Sequence, residues 1–323
     1  MKVGIIGLGK MGLNIALNLK NNDFDVIGYD VQESVRNEAN INEIKTVNSV
    51  EELVSNLVSP KIVWVMLPAG DITKNMIKKL SETLETGDYV IDGGNSFYQD
   101  SLANYEILKE KNINFFDSGT SGGVSGALNG GNFMIGGDSD KFGYIEPIFK
   151  KLAQKDGYLY TGPAGSGHYL KMVHNGIEYG MMEAIGEGFD LLQRCPYKYD
   201  NEKVAKLWNN GSVVRSWLME LAEQAFSEDP NLDGIKGIMY ASGEGQWTVE
   251  EALRRNVNMP VITLALMMRY RSLEEDTFTG KVVASLRKGF GGHKVAKWYF
   301  VAFIMVLLLM HLIWGGKLWE VLV

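Results

Sequence analysis

Hydrophobic positions follow two different periods in the two halves of the chain. In the first half they come as short unbroken runs: Lys2-Val-Gly-Ile-Ile6, Asp25-Val-Ile-Gly-Tyr29, Ile62-Val-Trp-Val-Met-Leu67, Tyr89-Val-Ile-Asp92 and Phe115-Phe116. Runs without alternation predict strands covered on both faces, as in a parallel sheet. Helical stretches separate the earlier runs, which is the βα repetition that such a sheet requires. Phe133-Met-Ile135, followed by Gly136-Gly137-Asp138, predicts a further strand and turn, and Tyr158-Leu-Tyr160 opens the hinge into the helical half. Beyond Thr161-Gly-Pro-Ala-Gly-Ser-Gly167 the period becomes helical. Within that half, Ser212 is the expected N-cap of a helix over Val213–Phe226. Thr248 is the expected cap of the next, with Glu251 three residues on as in a capping box.

The first run leads into Gly7-Leu8-Gly9-Lys10-Met11-Gly12 and then an apolar-periodic helix through Leu19. This is G-x-G-x-x-G between strand and helix. The first glycine permits the tight turn, the second lets backbone approach a pyrophosphate, and the third packs helix on strand. The helix N-terminus then meets the phosphate charge. The second strand ends at Asp30, the place for a carboxylate that holds the ribose hydroxyls of NAD and repels the 2′-phosphate of NADP. Val31-Gln32 follows, and Arg36 lies further on, so NAD is the expected cofactor and NADP the less favoured one. The other strand ends carry the loops Leu67-Pro68-Ala69-Gly70, Gly93-Gly94-Asn95-Ser96 and Ser118-Gly-Thr-Ser121-Gly122-Gly123. Asn95 offers a donor and an acceptor, and Ser121-Gly122-Gly123 can turn backbone N–H groups toward an anion. The expected fold is therefore an α/β Rossmann-type dinucleotide-binding domain over 1–163, then an all-helical domain over 164–297, then an apolar extension over 298–323.

One stretch near the middle carries the densest chemistry: His168-Tyr-Leu-Lys171-Met-Val-His174-Asn175-Gly-Ile-Glu178-Tyr179. Lys171, His174, Asn175 and Glu178 stand at i, i+3, i+4 and i+7, with Tyr179 at i+8, so they share one helix face. That stripe makes a poor core and a serviceable acid/base wall. On spacing alone it equally fits a solvated face with one Lys/Glu pair worth about 0.2–0.5 kcal/mol.

Bulk properties narrow the field. The 323 residues suffice for two domains, and a formal net charge of −7 argues against nucleic acid as the main partner. An acidic protein with an anionic substrate must concentrate its cations locally. The single cysteine, Cys195, permits no intrachain disulfide and fits a reducing, cytoplasmic setting. Histidines 168, 174, 293 and 311 show no metal-ligand spacing, so no metal is expected.

These motifs together resemble a known family. Ile5-Ile-Gly-Leu-Gly-Lys-Met-Gly12 is similar to the signature of the β-hydroxyacid dehydrogenases. Within that superfamily, Ile91-Asp-Gly-Gly-Asn95-Ser96, Ser121-Gly122-Gly123 and Gly167-His-Tyr-Leu-Lys171-Met-Val-His174-Asn175-Gly-Ile-Glu178-Tyr179 resemble the 6-phosphogluconate dehydrogenases. The likeness runs to about residue 297 and fits the short, often NAD-linked branch. It implies oxidative decarboxylation of 6-phosphogluconate to ribulose 5-phosphate, a step of the pentose phosphate pathway. It implies Lys171 as the base and Glu178 as the acid that protonates carbon 1. It places Asn95, Ser121, Gly122, Gly123, His174 and Asn175 around the substrate's carboxylate and hydroxyls, with Tyr179 at the phosphate. Arg269, in Met-Met-Arg269-Tyr-Arg, matches a phosphate-binding arginine. Arg287-Lys-Gly-Phe-Gly-Gly-His293 matches the motif that, in the family, reaches into a neighbouring subunit's site, which implies a homo-oligomer. One departure stands out: Ser242 occupies the place of a phosphate-binding lysine in the long enzymes.

The end of the chain fits the family least. Trp298–Trp314 is apolar but for His311 and is bounded by Lys297 and Lys317. Its 17 residues span about 25 Å as a helix, against about 30 Å for a bilayer core. A C-terminal membrane anchor, a helix buried between subunits and an extension without a role all fit this segment. Two other functions compete with the leading one. A β-hydroxyacid dehydrogenase for an unphosphorylated substrate has no use for Arg269, Arg287 and His293. A non-catalytic, membrane-attached NAD-binding protein has no use for Lys171 and Glu178.

Overall fold

The computed structural model describes residues 1–296. The expected segment 298–314, and with it the membrane contact, lies outside the described residues. Among those described, no helix is long and apolar enough to cross a membrane.

Eight strands form one sheet: β1 (Lys2–Ile6), β2 (Asp25–Tyr29), β3 (Lys45–Thr46), β4 (Ile62–Val65), β5 (Tyr89–Asp92), β6 (Asn114–Ser121), β7 (Gly131–Gly137) and β8 (Ala153–Gly162). Their order is β3-β2-β1-β4-β5-β6-β7-β8. Pairing is parallel from β3 to β6, antiparallel between β6 and β7, and parallel again to β8. Strand order reverses between β1 and β4, so a crevice opens there at the strands' C-terminal ends. The helices between strands are α1 (Lys10–Asn21), α2 (Glu33–Ile41), α3 (Val50–Ser55), α4 (Asp71–Thr83), α5 (Tyr98–Lys109), α6 (Gly123–Asn129) and α7 (Ser139–Leu152).

Apolar side chains divide cleanly between the faces. Val3, Ile5, Trp64, Ile91 and Phe116 pack with Ile15 and Leu19 of α1 and Phe149 of α7. Ile6, Val63, Val65, Val90 and Phe115 pack with Leu53, Ile77 and Leu108 of α3, α4 and α5. Consecutive residues of each strand serve opposite cores, which is why the runs show no alternation.

Three local expectations are corrected. Ser118–Ser121 is the second half of β6 and not a loop. It pairs with β7 from Ser118↔Ile135 to Ser121↔Asn132, and the turn begins only at Gly122. An antiparallel partner satisfies the backbone of residues whose small polar side chains had suggested a turn. Ser212 is no cap: its hydroxyl donates to the Trp208 carbonyl, and the cap of the following helix is Ser216, which accepts from Met219 N–H. Thr248 lies inside a helix that begins at Gly243. The glycines there are packing positions rather than breakers, since a Cβ on Gly243 or Gly245 would collide with the rings of Trp247 or Tyr179.

After Gly162 come the helices α8 (Ser166–Arg194), α9 (Asn201–Asn209), α10 (Trp217–Glu228), α11 (Gly243–Arg254) and α12 (Pro260–Ser272). Contacts group the chain into one compact unit over Met1–Tyr270 and a second over Arg271–Val323, whose described part holds α13 (Phe278–Gly291). Helix α8 is the long one, 29 residues or about 44 Å. Its start is tied to the sheet by Asp117 of β6, which is fully buried. The two carboxylate oxygens of Asp117 accept from Gly165 N–H at 2.6 Å and from His168 N–H at 2.7 Å.

Candidate active site

A cleft of about 1350 Å³ runs from Met11, in the first turn of α1, to α10 and α11. That volume exceeds the usual range for one small ligand and suits a dinucleotide together with a second molecule. Among its lining residues are Met11, Leu67, Pro68, Ala69, Asn95, Ser121, Gly122 and Gly123 from the sheet's edge. Lys171, His174, Asn175 and Glu178 line it from α8. The helical stripe seen in the sequence is therefore a wall of the cleft and not a solvated face.

At the dinucleotide end, Gly7 has φ +92°, a left-handed conformation that glycine takes without strain. A Cβ on Gly12 would strike the Gly7 carbonyl, so the loop and α1 are in close contact. A Cβ on Gly9 would meet nothing within 4 Å, which leaves open space in front of the helix. Gly9 is the N-cap and offers no side chain, and the first turn of α1 has no acidic residue. The N-terminal N–H groups of α1, from Lys10 onward, can thus face a phosphate. Asp30 closes β2: its carboxylate accepts from Leu8 N–H at 2.9 Å and from Gln32 N–H at 2.9 Å. The Arg36 guanidinium donates to the Asp30 carbonyl at 2.8 Å. These residues fit a dinucleotide.

At the other end, Lys171 is only 6% exposed. A Cβ on Gly119 of β6 would collide with the Lys171 Cβ, so this glycine lets α8 lie against the strand. Burial pushes the Lys171 amine below the ordinary lysine range, and the charges of Glu178 and Glu244 pull the other way. Around it runs a chain of hydrogen bonds. Ser121 Oγ lies 3.2 Å from His174 Nε2, and His174 Nδ1 lies 2.9 Å from Asn175 Oδ1. Asn175 Nδ2 donates to Glu244 Oε1 at 3.1 Å. Glu178 Oε2 is 3.9 Å from His174 Nδ1 and remains partly exposed to the cleft.

One turn beyond, the Tyr179 ring carries the Arg269 guanidinium on its face, 3.7 Å from the centroid. The Tyr179 hydroxyl is 2.9 Å from Ser242 Oγ and accepts from Ser242 N–H at 2.9 Å. Ser242 lines the cleft, so Tyr179 and Arg269 back its rim. Arg269 also donates to the Tyr240 carbonyl at 2.9 Å. Arg287 and His293 belong to the second unit, on α13 and just after it. The described residues that line the cleft belong to the first unit. Among the described residues no cluster of three or more His, Cys, Asp or Glu side chains could hold a metal ion.

Residues 2–162 match the model of the NAD binding domain of 6-phosphogluconate dehydrogenase, and residues 167–293 match that of its C-terminal domain. The chain belongs to the 6-phosphogluconate dehydrogenase family. Among curated relatives, "Putative 6-phosphogluconate dehydrogenase YqeC" of Bacillus subtilis is 52% identical over 297 residues, covering 92% of this chain and 100% of that one. The NAD(+)-dependent, decarboxylating 6-phosphogluconate dehydrogenase of Haloferax volcanii is 40% identical, covering 92% and 99%. Among solved structures, that of Plasmodium falciparum 6-phosphogluconate dehydrogenase, studied apo, with NADP+ and with 6-phosphogluconate, superposes with a TM-score of 0.79 at 31% identity. It is matched over 92% of this chain but only 66% of its own length. Mycobacterium tuberculosis 3-hydroxyisobutyrate dehydrogenase, at 20% identity and a TM-score of 0.70, shares the fold.

Several cleft residues carried too little signal to be picked out beforehand. Glu244 is 4% exposed and sits among glycines in Ala241-Ser-Gly-Glu-Gly-Gln-Trp247, where it reads as a loop carboxylate. Trp247, whose ring meets Phe97 at a 31° tilt with centroids 5.0 Å apart, lines the cleft from α11, and Trp217 does so from α10. Gly119 had no signal beyond its place among small residues. Asp117, which anchors α8 and does not line the cleft, had no signal beyond following Phe115-Phe116.

Proposed function

We propose that this chain is an NAD-preferring 6-phosphogluconate dehydrogenase that oxidises carbon 3 of the sugar acid and releases its carboxylate as carbon dioxide. One observation carries the reading: a buried lysine of lowered proton affinity lies in one cleft with a glutamate, a histidine and an asparagine, beside a dinucleotide loop. The bound dinucleotide supplies the hydride acceptor. Neutral Lys171 takes the proton of the carbon 3 hydroxyl as the hydride departs, and becomes an ammonium. The product is a β-keto acid. When its C–C bond to the carboxylate breaks, the electron pair flows into the ketone, and the Lys171 ammonium returns its proton to that oxygen. Glu178 then delivers a proton to carbon 1 of the enediol while Lys171, neutral again, takes back the hydroxyl proton from carbon 2, giving ribulose 5-phosphate. The ketone is the electron sink, so the residues need no metal to perform this step.

In this reading Asn95, Ser121, Gly122, Gly123, His174 and Asn175 hold the carboxylate and hydroxyls. Tyr179 and Arg269 hold the phosphate, with a planar guanidinium suited to bidentate contact. The dinucleotide lies on Gly7, Leu8, Gly9, Lys10, Met11 and Gly12, with Leu67, Pro68, Ala69 and Asn95 along its far side. Preference for NAD rests on Asp30, whose carboxylate would repel a 2′-phosphate. The NAD(+)-dependent Haloferax relative supports that preference, whereas the Plasmodium structure involves NADP+. Lys171 is the only lysine or arginine among the described residues that line the cleft. A phosphorylated substrate thus needs cations from the rim, and we assign them to Arg269 and to Arg287 and His293 of a second copy in a homo-oligomer. Exposed Val261, Leu264 and Met267 on α12 support such an assembly.

Replacing Arg269 by Ala tests the substrate class. The KM for 6-phosphogluconate should rise at least about tenfold, the equivalent of ~1.4 kcal/mol. An unchanged KM would favour a dehydrogenase for an unphosphorylated hydroxyacid.

A further inference from the structure

Glu244 is a buried carboxylate of the cleft that the reaction as written leaves without a task. Its Oε1 accepts from Asn175 Nδ2 at 3.1 Å. An ionised carboxylate can only accept, so it holds the Asn175 amide with its nitrogen toward α11 and its oxygen away. That oxygen lies 2.9 Å from His174 Nδ1. An amide oxygen also only accepts, so Nδ1 must carry the ring proton. Glu178, the other acidic group near the ring, faces the same nitrogen at 3.9 Å and favours the same form. In the neutral ring Nε2 is then left with its lone pair toward the cleft, 3.2 Å from Ser121 Oγ.

We propose that Glu244 is a positioning residue that, through Asn175, fixes the Nδ1–H tautomer of His174. Nε2 thereby becomes an acceptor for a hydroxyl, from Ser121 in the free protein and from a substrate hydroxyl when one binds. This deepens the reading of the site as one for a polyhydroxy acid and rests on that reading for the substrate. The tautomer itself is independent of substrate, cofactor and turnover. With the opposite amide orientation, Nδ2 would face Nδ1 and force the proton onto Nε2, so the same ring would offer a donor to the cleft. The chain runs from α11 to β6 by way of α8. Its polar members are thereby set before any ligand arrives, which is the condition for a preorganised site.

The test is the ¹⁵N spectrum of the full chain labelled at histidine, free of ligand, at a pH where the ring is neutral. The His174 signal is assigned by its loss in a His174→Asn variant. The expected result is a protonated Nδ1 and an unprotonated Nε2. A protonated Nε2 in the wild-type chain would overturn the proposal without need of any further variant. In Glu244→Leu, which lacks the acceptor, the Nε2–H form should become populated. In Glu244→Gln, whose amide oxygen can still accept, the wild-type pattern should persist. An unaltered His174 pattern in a folded Glu244→Leu protein would equally overturn it. If the chain turns over 6-phosphogluconate, kcat/KM should fall about 10- to 100-fold in Glu244→Leu and be largely retained in Glu244→Gln. Failure of the wild-type chain to turn over at all, with the Nδ1–H signal present, would count against the proposed reaction and not against this role for Glu244.

Discussion

Lys171 works as a base only because it is buried. Its lowered proton affinity comes first from desolvation, with Glu178 and Glu244 opposing. The rate should therefore rise with pH as the amine loses its proton, with a midpoint below the ordinary lysine range. The sign for stability follows from the same shift. Below its folded-state pKa the charged amine is buried at full cost; as pH rises from there to the unfolded lysine value, that cost is relieved. Lys171→Met, which keeps the stem and removes the charge, should abolish turnover while raising the melting temperature at neutral pH. Pairing thermal denaturation with an assay checks both. Gly119 sets how closely the lysine approaches β6. A Gly119→Ala change should lower kcat about 10-fold or more and cost about 1–3 kcal/mol, since the added methyl collides with the Lys171 Cβ and crowds the Gly167 carbonyl of α8.

At the scale of elements, the site depends on how α8 is anchored. Asp117 accepts two backbone N–H groups at the start of that helix, and both would be left buried and unsatisfied in Asp117→Ala. The expected loss is about 2–4 kcal/mol, read from the denaturant midpoint at constant m-value. Ser216 caps α10, from which Trp217, Leu218 and Leu221 line the cleft. Ser216→Ala should cost about 1 kcal/mol. The elements themselves were legible to different degrees. The strands of the parallel sheet stood out because unbroken apolar runs ending at Gly7, Asp30 and Pro68 are too short for helices and too apolar for loops. The Lys171–Tyr179 stripe stood out because four polar groups at helical spacing need a reason. What stayed hidden needed a partner to reveal it. The second half of β6 is strand only because β7 pairs with it. The glycines of α11 look like breakers until the Tyr179 and Trp247 rings are seen packed on them. Strand β3, at two residues, is too short for any period to show. Glu244 became a member of the site only when folding set it beside Asn175, 69 residues away in sequence.

At the scale of the whole molecule, the cleft and the second unit pose separate questions. The assignment of Arg287 and His293 to a neighbouring copy predicts complementation. A Lys171→Met chain and a His293→Ala chain, each feeble alone, should regain activity when refolded or co-expressed together, because mixed assemblies contain one intact site. Activity that stays at the level of the separate variants would place His293 outside any shared site. The central claim is that this cleft couples loss of a hydride to loss of carbon dioxide. The most direct measurement is the yield of reduced nicotinamide and of carbon dioxide from 6-phosphogluconate by the purified chain, with NAD and NADP in parallel and Lys171→Met as control. The two yields should be equal, formation should be faster with NAD, and the variant should give neither product. Reduced nicotinamide without carbon dioxide, or a Lys171→Met chain as active as the parent, would contradict the claim.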